Sequence, residues 1–165
     1  MKRFIIVGMP GSGKSTMAKY LCSQTSLTFY DLDKEIENNE VKKIKEIFRD
    51  KGENYFRKVE SIVLKKIIKE KENFILATGG GTPCFNDNMK IINKYGISIF
   101  LNTSIDVLEE RISRNKKRPL FNNSINLKTD LINLLEKRNS FFSSSNYIIE
   151  NNNREKTLSV INSYS

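Results

Sequence analysis

The stretch GMPGSGKST, Gly8–Thr16, decides how the rest of the 165-residue chain is read. It matches G-x-x-x-x-G-K-[ST] in full, directly after the apolar run Arg3–Val7 and directly before a helical pattern. Glycines let successive backbone N–H groups curl around an anion, and a helix that starts there aims its positive end at the same point. Lys14 can reach the β- and γ-phosphates, and the Ser15 hydroxyl suits Mg²⁺. The expectation is a nucleoside triphosphate cradled by Gly11, Ser12, Gly13, Lys14, Ser15 and Thr16. A turn that merely opens a helix would need neither the lysine nor the serine.

Outward from this loop, short apolar runs alternate with longer helical patterns. Leu27–Tyr30, Phe74–Ala77, Ile97–Leu101 and Tyr147–Glu150 read as further strands, mostly continuous apolar runs of the kind found in sheets covered on both faces. The clearest helix spans Asn54–Lys71, with Phe56, Val59, Ile62, Val63 and Ile67 at three- and four-residue spacing. Strand followed by helix, repeated, predicts an α/β fold: a three-layer sandwich around a five-stranded parallel sheet. With no linker or internal repeat in view, residues 1–165 read as one domain. The polar, proline-interrupted segment at about 115–126 reads as a mobile lid.

Two more clusters fall at strand ends, the edge where parallel sheets bind ligands. Asp31 and Asp33, in DLD, lie two apart, so on an extended chain both carboxylates face one site. They fit an acceptor that orients an attacking hydroxyl; equally, Asp33 could cap the helix that follows. LATGGGTPC, Leu76–Cys84, gathers Gly79, Gly80 and Gly81 in a chain with eight glycines altogether. No Lys-Ser/Thr follows, so this is not another phosphate loop. It reads as the floor of a second-substrate pocket, or as a strained turn that needs positive φ. Arg57, Arg118 and Arg138 fit carboxylate forks and a lid cation, although each alone could be a surface residue in so basic a chain.

The net charge of +9 comes from 28 basic and 19 acidic residues spread along the whole chain. A nucleic-acid stripe needs clustering that is not seen, so the charge reads mainly as a lysine-rich surface suited to small phosphorylated anions. With no histidine, acid–base chemistry falls to carboxylates, lysines, tyrosines or water. Two cysteines, Cys22 and Cys84, make no disulfide framework, so a reduced cytoplasmic setting is expected. The apolar run in MKRFIIVG is too short for a signal peptide, and no stretch is long enough to span a membrane.

Taken in order, IIVGMPGSGKST, FYDLDKEIE, IKEIFRDKGENYFRKVE, ATGGG, RPLF and EKRNSFF resemble shikimate kinase, a phosphate-loop kinase of the nucleoside-monophosphate-kinase type. The resemblance implies ATP-dependent phosphorylation of the 3-hydroxyl of shikimate, with Mg²⁺ as cofactor, by a monomer that engages neither nucleic acid nor membrane. It implies that Asp33 is the base or orienting acceptor and that Asp31 supports Mg²⁺ through water beside Ser15. A substrate-binding helical region of about 33–60 would supply Arg57, braced by Glu60, and the pocket walls Phe48 and Phe56. Arg138 with Gly79, Gly80 and Gly81 would complete the shikimate site. Arg111 would lie beside the adenine, and Arg118 would arrive with the lid to join Lys14 and Asp33 in catalysis. The chain departs from the family after Arg138, where KRNSFFSSSNY lacks the usual proline and tyrosine. Kinases for gluconate or a nucleotide share GSGKS but have no need of paired arginines around a triple glycine. A nucleic-acid-associated NTPase is the rival from another class.

Overall fold

The computed structural model describes residues 1–114 and 125–164. Five strands, β1 (Arg3–Val7), β2 (Thr28–Asp31), β3 (Phe74–Ala77), β4 (Ile97–Asn102) and β5 (Tyr147–Glu150), form one sheet in the order β2-β3-β1-β4-β5. Every neighbouring pair is parallel, with Ile5 opposite Leu76 on one side and Ser98 on the other. All five carboxyl ends therefore share an edge, and β1, which carries the phosphate loop, is central.

The apolar runs are continuous because both faces of the sheet are covered. Phe4, Ile6, Ile75, Ile99 and Leu101 pack on α1 (Lys14–Ser23) and α7 (Arg154–Asn162). On the other face Ile5, Val7, Leu76 and Phe100 meet α2 (Leu32–Glu40), α3 (Ile44–Glu70), α4 (Asn88–Tyr95), α5 (Ile105–Arg114) and α6 (Leu127–Ser143). The expected three layers are present. No helix among the described residues is long and apolar enough to cross a membrane.

Three expectations need correction. β2 begins and ends one residue later than Leu27–Tyr30, because its pairing with β3 reaches Asp31 opposite Ala77. The helix expected at Asn54–Lys71 is only the second arm of α3, which begins at Ile44 and breaks at Gly52 (φ 77°, ψ 173°). Only glycine enters that backbone region freely. Finally, the residue after β2 already belongs to a helix, so Asp33 lies in the first turn of α2 and not on an extended chain.

Candidate active site

The phosphate loop owes its curl to Gly11 and Gly13, with φ of 86° and 88°. The Lys14 ammonium donates to the carbonyls of Gly8 (3.0 Å) and Met9 (2.9 Å), bending back over the loop it follows. The Ser15 hydroxyl donates to Asp31 Oδ2 at 2.7 Å. This oxygen-only pair is the donor chemistry that Mg²⁺ takes. Asp31 is also the cap of α2, its other oxygen accepting from the Lys34 N–H at 3.4 Å. The alternative reading, in which Asp33 was the cap, therefore falls.

Asp33, in the first turn of α2, is left to face the cleft. Desolvation of the carboxyl, on a residue that keeps over a third of its surface exposed, pushes it up to about 6, helped by the negative charges of Asp31 and Glu60 and opposed by Lys14. The phosphate-loop lysine is thus close enough to act on this carboxylate, and the two motifs converge although the geometric reason first given for it does not hold.

The triple glycine supplies room. None of Gly79, Gly80 and Gly81 has positive φ, which excludes the strained-turn reading. A Cβ on Gly79 would stand 3.2 Å from Asp33 Oδ1 and 3.2 Å from Glu60 Oε1. On Gly80 it would stand 2.7 Å from Cγ and Cδ of Pro10, inside the phosphate loop, and on Gly81 2.7 Å from Arg57 Nη2. Real Cβ atoms essentially never approach to 2.7 Å and seldom to 3.2 Å, so Gly80 and Gly81 exclude a side chain and Gly79 disfavours one, each beside a different part of the site.

Around this floor lies a cavity of about 400 Å³ lined by Asp33, Phe48, Phe56, Arg57, Glu60 and Arg138, among others. Arg57 Nη1 donates to Glu60 Oε2 at 2.9 Å, and Thr82 Oγ1 donates to Glu60 Oε1 at 2.7 Å, so a buried carboxylate fixes the guanidinium. Arg138 Nη1 donates to the Gly80 carbonyl at 3.0 Å, and burial holds its guanidinium below the usual range. The rings of Phe48 and Phe56 lie 4.5 Å apart as one wall. On the other side of the loop, Gly11, Gly13, Thr16, Arg111, Asn152 and Arg154 line a second cavity of about 590 Å³.

The family model for shikimate kinase matches residues 10–164. The chain belongs to the shikimate kinase family. It is 41% identical over 153 residues to the shikimate kinase of Flavobacterium psychrophilum, covering 90% of this chain and 89% of the relative. Against that of Azobacteroides pseudotrichonymphae it is 38% identical over 151 residues, covering 90% and 89%. The crystal structure of shikimate kinase from Bacteroides thetaiotaomicron superposes with a TM-score of 0.90 at 32% identity, covering 99% of this chain and 97% of that one. Shikimate kinase from Acinetobacter baumannii, solved in complex with shikimate, gives 0.90 at 31% identity, covering 100% and 95%.

Of the residues expected from the family pattern, the structure brings together Asp31, Asp33, Phe48, Phe56, Arg57, Gly79, Gly80, Gly81 and Arg138 around the phosphate loop. Arg111 Nη1 donates to the Gly11 carbonyl at 3.2 Å, at the edge of the second cavity. Arg118 and nearly all of the expected lid lie outside the described residues. After Arg138, where the chain lacks the usual proline, α6 runs on to Ser143, and Phe142 is buried in a stack with Phe100 at 4.9 Å. Burial pushes the Cys84 thiol up, away from the reactive thiolate, against the lowering pull of Arg138 and Arg57.

Sequence reasoning missed Pro10, Thr82 and Asn152. Pro10 occupies a position that the loop motif leaves free, and Thr82 acts only through Glu60. Asn152 was within reach, because the run Asn151–Asn153 follows a strand and asparagine tolerates left-handed φ. Asn151 and Asn152 adopt φ of 52° and 51°, and Asn152 Nδ2 donates to the Ser12 carbonyl at 2.6 Å, tying the loop after β5 to the phosphate loop.

Proposed function

We infer that this chain, acting as one kinase domain, transfers the γ-phosphoryl group of ATP to the 3-hydroxyl of shikimate, yielding shikimate 3-phosphate and ADP. The observation that carries the reading is the contact of Gly80 with Pro10. It joins a cavity holding two arginines and a raised carboxyl to the phosphate loop, so donor and acceptor share one cleft.

In this reading the triphosphate lies along Gly11–Thr16, and Lys14 turns from the Gly8 and Met9 carbonyls to the phosphates. Ser15 and Asp31, the latter through water, are the residues that would hold Mg²⁺. When bound, the metal spreads positive charge over the β- and γ-phosphate oxygens. Arg57 and Arg138 hold the shikimate carboxylate, and the wall of Phe48 and Phe56 meets the ring. Asp33 accepts the proton of the 3-hydroxyl as its oxygen bonds to phosphorus and the bond to the ADP oxygen breaks. A carboxyl near 6 is largely ionised at neutral pH and still basic enough for that role. Arg118, assigned to the lid, meets the phosphoryl charge, and Arg111 borders the adenine. Fixed charges in place before the reaction supply most of the rate.

Cys22 and Cys84 are free thiols, which supports a cytoplasmic setting. We read the protein as a monomer that binds small molecules and no nucleic acid. ADP release measured with shikimate, gluconate and nucleoside monophosphates tests the substrate. Turnover with shikimate alone is expected, and turnover with another acceptor but not shikimate would overturn the assignment.

A further inference from the structure

Arg57 has no open fork before a ligand arrives. Its Nη1 is committed to the buried Glu60 at 2.9 Å. A Cβ added to Gly81 would lie 2.7 and 3.0 Å from Nη2 and Nη1 and 3.1 Å from Cζ, above the guanidinium plane on its end-on side, so the Gly81 backbone crowds that side. The remaining side-on face, Nε with Nη2, donates to a single oxygen of Glu53 at 3.2 and 3.1 Å.

The two glutamates differ in one respect that matters. The Glu60 side chain is 1% exposed, whereas that of Glu53 is 56% exposed. Glu53 also follows the helix break at Gly52 and lines the same cavity as Arg138 and Gly80. A carboxylate ligand needs two adjacent guanidinium nitrogens for a bidentate contact. Only the side-on pair is covered by a group free to leave.

We propose that Glu53 is an internal stand-in for the substrate carboxylate. In the empty pocket it satisfies the Nε–Nη2 edge of Arg57, and it must leave that edge before a carboxylate docks there. Lys45, from the other arm of α3, lines the same cavity and gives the released carboxylate a cation to turn to. Glu53 is therefore a positioning residue that competes with the ligand. An exposed ion pair is weak, so the competition amounts to about a two- to fivefold loss of affinity. The inference rests on the shikimate kinase reading.

The test is calorimetric titration of the full chain, wild type and the variants Glu53→Gln and Glu53→Ala, with shikimate and with its neutral primary carboxamide. Both variants are expected to bind shikimate about two- to fivefold more tightly, with carboxamide affinity unmoved, so that discrimination between the two ligands widens. Shikimate affinity that stays level or weakens in both variants, or equal shifts for both ligands, would overturn the inference alone. No shikimate binding by the wild-type chain would overturn the functional reading and this inference with it.

Discussion

The phosphate loop and the triple-glycine turn sit on adjacent strands and use the same residue for different physical reasons. Gly11 and Gly13 are needed for their backbone, which no other residue enters cheaply, with φ near 87° in a loop held by its own carbonyl contacts. Gly79, Gly80 and Gly81 have ordinary backbones and are needed for the atoms they lack. One region is built from main-chain geometry. The other is built from side chains packed against bare backbone.

Variants should separate the two kinds of demand. The largest effect is expected at Asp33, between the regions. Asp33→Asn should lower kcat at least about 100-fold, with ATP affinity little changed. It should also raise the melting temperature. A carboxyl whose folded value of about 6 exceeds its ordinary value of 3.8 holds its proton more tightly when folded. It therefore subtracts stability as pH rises through that interval, by less than the whole shift because the residue is over a third exposed and solvent screens the charge. Thermal melts and steady-state rates on one preparation check both halves, and a variant both slow and less stable would contradict the assigned environment.

Next in size is Gly80→Ala, whose methyl would meet the Pro10 ring at 2.7 Å. A loss of about 1–3 kcal/mol in stability is expected, together with weaker binding of both substrates. Gly13→Ala should cost about 1–2 kcal/mol through its backbone and weaken ATP binding alone. The comparison sharpens when Pro10→Ala is added, since it should recover much of the Gly80→Ala loss and none of the Gly13→Ala loss. Equal rescue in both backgrounds would erase the distinction. A purely backbone effect is expected for Gly52→Ala, where no atom lies within 4 Å of the added carbon. Its φ of 77° with ψ of 173° lies in a region essentially reserved for glycine, so about 1–3 kcal/mol of stability should go through the backbone alone, read from chemical denaturation.

The same contrast explains what the sequence made legible. β1, β3 and β5 have the expected bounds because a strand buried on both faces writes itself as a continuous apolar run. The phosphate loop is equally plain, since its chemistry depends on residues adjacent in the chain. A helix after Asp33 was within view, but its start at Leu32 was hidden, because nine residues with only Leu32 and Ile36 buried carry little periodicity. The first arm of α3 was hidden by Gly52, which reads as a stop. The second-substrate side is made of contacts across the chain: Arg138 on Gly80, Thr82 on Glu60 and Pro10 on Gly80. The family pattern named most of those residues, but only the coordinates give the reason three glycines stand together.

The pH dependence of the second-order rate constant kcat/KM for shikimate tests most directly whether the Asp33 carboxylate accepts the hydroxyl proton. The constant should be level at neutral pH and fall about tenfold per unit on the acid side of a midpoint near 6, with that step absent in Asp33→Asn. A wild-type constant that stays level from pH 7 to pH 5, or a step that survives the substitution, would contradict it.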